Sequence, residues 1–130
     1  MRKEGRKLVD DLTLLLELYQ DMYANVCNTY DILINFSDNE LQYPLAASYL
    51  SLAHNSYTHA HIYISTHDLR DSDFEKILVA YKNVKVSFDE LMVHRNMNVY
   101  RLSNRYNEFK NAYLLSKRSL ESILEVRVPQ

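Results

Sequence analysis

Glycine occurs once in the 130 residues, where average usage would supply about nine. Hairpin turns, phosphate-cradling loops and dinucleotide fingerprints all place glycine where the backbone needs positive φ or close approach. Its scarcity excludes most all-β and α/β folds and both common nucleotide-binding motifs. Cysteine also occurs once, at Cys27, which excludes disulfide frameworks and multi-cysteine zinc or iron–sulfur sites. There are two prolines and no tryptophan. No run of about 18 consecutive apolar residues is present, so no membrane-spanning segment is expected. The basic stretch 1–7 precedes an apolar one, but Asp10, Asp11 and Glu17 break it and no small-residue cleavage site follows. A secretory signal is therefore not expected, and the chain reads as intracellular and cytoplasmic.

What is abundant is apolar residues at helical spacing. Leu8, Leu12, Leu15, Tyr19, Met22, Val26, Leu33 and Phe36 recur in alternating steps of four and three, with Thr29 in the one polar slot. Val9, Leu16, Tyr23 and Tyr30 add a second line. A stripe this wide suits a helix with more than one packed neighbour. Ala46, Leu50, Ala53, Tyr57, Ala60 and Ile64 form the next stripe. Ser37 and Glu40 have capping-box spacing, and Pro44 is expected at the first position of the second helix. Ser72 and Glu75 form a second capping box ahead of Phe74, Ile77, Tyr81, Val84, Phe88 and Leu91. The pattern falters over 94–98 and resumes at Leu102, Tyr106, Phe109, Tyr113, Leu120 and Ile123.

These stripes predict an all-α protein, an antiparallel four-helix bundle over residues 8–128 following a basic N-terminal tail at 1–7. The alternative is a helical hairpin plus one very long helix over 72–126, covered by a second chain in a dimer. No glycine or proline lies between 72 and 128 to separate the two readings.

The net charge of −2 hides a split. Residues 10–90 carry four basic and thirteen acidic side chains, and residues 91–130 carry seven basic and three acidic. On a helix through 101–118, Arg101 and Arg105 share one flank of the stripe, and Lys110 and Lys117 the other. These flanks either face acidic helices of the same bundle or form a basic surface for an acidic partner. An overall acidic chain repels nucleic-acid phosphate, so an acidic protein is the partner expected. His94, Arg95, Asn96, Asn98, Arg101 and Arg105 form the candidate partner-binding surface. Arg95 stands on an apolar stripe position, where a charge needs a partner.

His54, His59, His61 and His67 fall within fourteen residues, but neither Glu-x-x-His nor His-x-x-x-His spacing occurs, so no metal site or cofactor is expected. The tyrosines on the stripes are read as core, with Tyr49 and Tyr63 as contact candidates. Cys27 is read as a small, mostly buried side chain. No catalytic constellation is visible in the spacing.

The run from Arg95 to Tyr100 resembles the arginine–polar–x–x–x–histidine motif of small helical HEPN nucleases. Arg95 and Asn96 match; Tyr100 stands where that family has histidine, and His94 precedes the arginine. The resemblance implies a dimeric bundle that binds or cleaves RNA.

The expected function is a non-catalytic protein–protein interaction module: a small regulator, adaptor or inhibitor that binds a host or viral protein, with self-association into a homodimer. The 11 tyrosines and 11 asparagines against 7 alanines suggest an AT-leaning coding sequence, as in phages and mobile elements. A scaffold component of a virus particle is the structural alternative.

Overall fold

A computed structural model of the chain describes residues 3–35, 41–94 and 99–127. They form four helices: α1 (Lys3–Asn35), α2 (Gln42–Thr66), α3 (Ser72–His94) and α4 (Val99–Arg127). No strand occurs among the described residues. The expected all-α four-helix bundle is the fold. The single long helix over 72–126 is not formed: α3 ends at His94 and α4 starts at Val99. Folding back lets the stripes on the two halves bury each other, which one continuous helix cannot do. α1 packs along α2 and α3 along α4, α1 also meets α4, and the α2–α3 contact is the slightest of the four.

Cross-helix pairs show that neighbours run antiparallel. Tyr63 bonds Asp11 at one end of the α1–α2 pair, and Gln42 Nε2 donates to the Leu33 carbonyl at the other. Tyr23 stacks on Tyr113 at 4.0 Å and Tyr30 on Tyr106 at 3.9 Å between α1 and α4. The second line on α1 is thus the seam with α4. Stacked aromatic pairs add about 0.5–1.5 kcal/mol beyond their buried area.

The stripes read from the sequence form one core. Leu12, Leu15, Tyr19, Met22 and Val26 meet Ala46, Leu50, Ala53, Phe74, Ile77, Tyr81, Phe88, Leu102, Phe109 and Leu120, all buried. Alanines on α2 let α1 approach closely. Polar residues inside the core are bonded. Thr29 donates to the Asn25 carbonyl. The Tyr19 hydroxyl donates to the Phe74 carbonyl at 2.6 Å. Ser116, buried where α4's stripe has its gap, donates to the Asp73 carbonyl at 3.0 Å and accepts the Ile77 N–H at 3.3 Å.

The helix ends correct two expectations. Pro44 is the third residue of α2, not the first, since α2 begins at Gln42. N–H groups of a first turn have no intrahelical partner, so proline costs nothing there. α3 is capped by Asp71, one residue before the expected serine. Asp71 Oδ1 accepts the Asp73 N–H at 2.8 Å, and its carbonyl accepts the Glu75 N–H at 3.0 Å. A carboxylate at this end also opposes the helix dipole. The Ser37–Glu40 box lies outside the described residues.

Between α2 and α3 the chain turns without glycine. Asp68 takes φ 53°, and the Leu69 N–H reaches back to the Ile64 carbonyl at 3.0 Å. This is the six-to-one bond of a Schellman cap, with Leu69 and Ile64 as its buried apolar pair.

Candidate partner-binding surface

Of the six residues read as a partner surface, Arg95, Asn96 and Asn98 lie outside the described residues, and so does most of the HEPN-like run. His94 is the last residue of α3. Arg101 and Arg105 lie on the α3-facing flank of α4. Arg101 is half exposed, with Nη1 3.8 Å from Glu90 Oε2. Arg105 is half-buried and donates through Nη1 to Ser87 Oγ at 2.9 Å and to the Asn83 carbonyl at 3.3 Å. Arg105 therefore ties α4 to α3 within the chain. On the other flank, Lys110 sits 5.0 Å above the Tyr106 ring, a cation–π contact with its own helix.

Tyr100 stands beside Arg101 and is the most exposed large apolar residue described, at 79%. With Arg101, Asn104, Arg105 and Glu108 it lines a shallow depression of about 400 Å³.

His54, His61 and His67 have aromatic neighbours. His54 Nδ1 lies 3.1 Å from the buried Tyr81 hydroxyl and stacks on Tyr57. His67 stacks on Tyr63 at 4.0 Å. The Tyr63 hydroxyl donates to the buried Asp11 carboxylate at 2.6 Å. Partial burial, then the bond to Asp11 and the charges of Asp11 and Asp10, push the Tyr63 phenol up to about 12. Tyr63 is thus committed to the bundle, although it was read as a contact candidate. Tyr49 packs half-buried against the core. Cys27 is half-buried. Burial, and then the Cys27 thiol, raise Tyr106. No group of three or more histidine, cysteine or acidic residues able to hold a metal occurs among the described residues. None of the described helices is long and apolar enough to cross a membrane.

Two surfaces were missed by the sequence reading. The 25 residues of α2 contain no Asp, Glu, Lys or Arg. Leu45, Leu52 and Ile62 stand about half exposed on that helix. Ile62 joins Leu14 and Leu18 of α1 around a groove of about 400 Å³, walled also by His59 and Thr66. The second surface is on α3. Val79, Val86 and Val93 are 64%, 50% and 69% exposed. Spaced by seven, they share the face opposite Ile77, Tyr81, Val84 and Phe88. Both signals are present in the sequence. Spacing marks the inward stripe but does not separate an uncovered apolar position from a solvated one.

Comparison with protein-family models, curated proteins and solved structures finds no match for this chain.

Proposed function

We propose that this protein is a non-catalytic helical module that works by binding another protein. One observation carries the reading: the outer face of α2 has no formal charge over seven turns and presents Leu45, Leu52 and Ile62 to solvent beside the Leu14–Leu18 groove. A soluble helix usually clothes its outer face in charge. Interface cores instead are depleted of charge and rich in aromatic and apolar groups. The role that fits is a small regulator, adaptor or inhibitor acting in the cytoplasm, of a phage or mobile element, with a host or viral protein as its target. The exposed Tyr100 and Arg101 at the end of α4 would supply a basic contact for an acidic rim on that target.

The test is affinity purification from the native host with the parent protein and a Leu52→Lys, Ile62→Lys double variant. Both positions are half exposed, so the variant is expected to keep the parent's helical circular dichroism. The expected result is a partner retained by the parent and weakened about tenfold or more in the variant, because each new ammonium is stranded in an apolar contact. A Tyr100→Ala, Arg101→Glu variant should reduce association with an acidic target and lower its salt dependence. Equal recovery of the same partners by all three proteins would refute the reading.

A further inference from the structure

The outer valines of α3 have no function in the bundle. Val is a poor helix former, disfavoured relative to Ala, Leu or Lys where packing does not ask for it. Yet Val79, Val86 and Val93 repeat at heptad spacing on the face turned fully away from the core, each half exposed or more. Two charged rows border them. The row toward α2 carries Glu75, Lys82 and Asp89, and Asp89 lines the cleft against Leu50 and His54 of α2. The row toward α4 carries Lys76, Asn83 and Glu90, of which Asn83 and Glu90 meet Arg105 and Arg101.

We propose that a second copy of this chain docks on this face, with the two α3 helices antiparallel across a two-fold axis at Val86. The proposal deepens the protein-binding reading by naming a partner and a surface separate from the α2 face.

Charge selects this arrangement from its competitors. In an antiparallel pair each flank meets the same flank of its partner. With the axis at Val86, Val86 meets its own copy and Val79 meets Val93 of the second copy. Lys82 then lies opposite Asp89 of the second copy, twice by symmetry. Lys82 has no ion pair among the described residues. Asp89 already receives Lys85 of its own chain at 2.8 Å and is 44% exposed at its side chain, so it can accept a second cation. Sliding the pair by one heptad one way brings Lys82 against Lys82. Sliding it the other way brings Asp89 against Asp89. A parallel pair juxtaposes opposite flanks and sets Asp89 beside Glu90; its one attraction, Glu75 with Lys76, competes with Asp73, which already holds Lys76 at 3.1 Å. Only the register centred on Val86 covers all three valines and joins unlike charges without setting like charges together. Exposed ion pairs contribute little affinity, but like charges exclude wrong registers.

Three valines alone fall well short of the roughly 800 Å² per partner of a standard interface. The depression beside Val79, about 780 Å³ and bordered by Ala80, Asn83, Ala112 and Leu115, extends the contact onto α4. The association is therefore weak and dependent on concentration.

Sedimentation velocity across about a hundredfold range of concentration tests this. The parent should pass from monomer to dimer. Val86→Glu, which brings two carboxylates together on the axis, should weaken the dimer about a hundredfold and keep the parent's thermal melt. Lys82→Asp should weaken it less, and adding Asp89→Lys should restore it. Under mild oxidation Val86→Cys should form a disulfide with itself, and an equimolar mixture of Val79→Cys and Val93→Cys should cross-link to each other in preference to themselves. A parent that stays monomeric throughout, a dimer indifferent to Val86→Glu, or Val79→Cys preferring its own copy would overturn the proposal. Loss of the host partner on α2 substitution would still stand in each of those cases, so the two readings fail separately.

Discussion

Tyr19, Tyr63, Tyr81 and Tyr106 show how this chain uses a residue that is half apolar and half polar. Their rings fill core or seam positions and their hydroxyls find partners inside or at the edge. Burial, first among the causes, raises all four phenols above the usual value of about 10. Below pH 10 both folded and unfolded chains keep these protons, and the contribution to stability is fully present. Above it the unfolded chain releases protons that the folded chain retains, so stability falls as pH rises through about 12, where Tyr63 titrates, and beyond. The urea midpoint should hold from pH 8 to about 10 and then drop. Asp11→Asn should bring Tyr63 back toward the ordinary phenol value, read as earlier tyrosinate absorbance. Ser116 makes the complementary point. Replacing it by leucine would complete α4's apolar stripe, yet it should destabilise the protein by about 1–3 kcal/mol in urea titration. The site is fully buried, and its hydroxyl bonds both the Asp73 carbonyl and the Ile77 N–H, which leucine cannot do.

Between α2 and α3 two acids shape a turn that has no glycine. Asp68 adopts the left-handed conformation that glycine usually supplies, and Asp71 accepts a first-turn N–H of α3. Aspartate tolerates that backbone region better than most residues because its short side chain bonds locally. Asp68→Val should therefore cost about 1–2 kcal/mol of stability by denaturant titration, while Asp68→Gly should cost nothing or stabilise slightly. Asp71→Ala should cost about 1 kcal/mol and fray the first turn of α3, visible as faster amide exchange at Asp73 and Glu75. These caps sit in the connection where the two hairpins meet least. The turn chemistry consequently carries much of the task of setting α3 against α2.

Across the whole molecule the charge split has two destinations. Part of the basic C-terminal segment turns inward: Arg105 is held by Ser87 and Asn83, and Arg101 lies near Glu90. Of the six-residue surface expected from the sequence, Arg95, Asn96 and Asn98 lie outside the described residues, and among the described basic residues of that segment Arg118 and one side of Arg101, next to Tyr100, face outward. Arg105→Glu should lower stability, because it removes a tie between α3 and α4. Thermal denaturation of the variant reads the loss.

Helix number, class and core were legible from apolar periodicity, because a residue's phase on a helix depends only on its place in the chain. Leu12 to Leu33, Ala46 to Ile64, Phe74 to Leu91 and Leu102 to Leu120 are buried where their spacing put them, except Tyr57, which is half-buried at the edge of the core. The division of residues 72–127 into two helices was marked only by the faltering of the stripe over 94–98. Without glycine or proline the local signal is weak, and the choice rests on whether two distant stripes gain more by meeting each other. Nor did spacing reveal that Tyr63 reaches Asp11, that Ser116 bridges α3, or that Arg105 is spent on Ser87. Each partner lies on another helix, and the relative rotation and offset of packed helices follow from side-chain interlock along their full length. The outward valines and the charge-free α2 sit between these cases: their sequence is plain, but only packing on every other side shows that these faces are left uncovered within the chain.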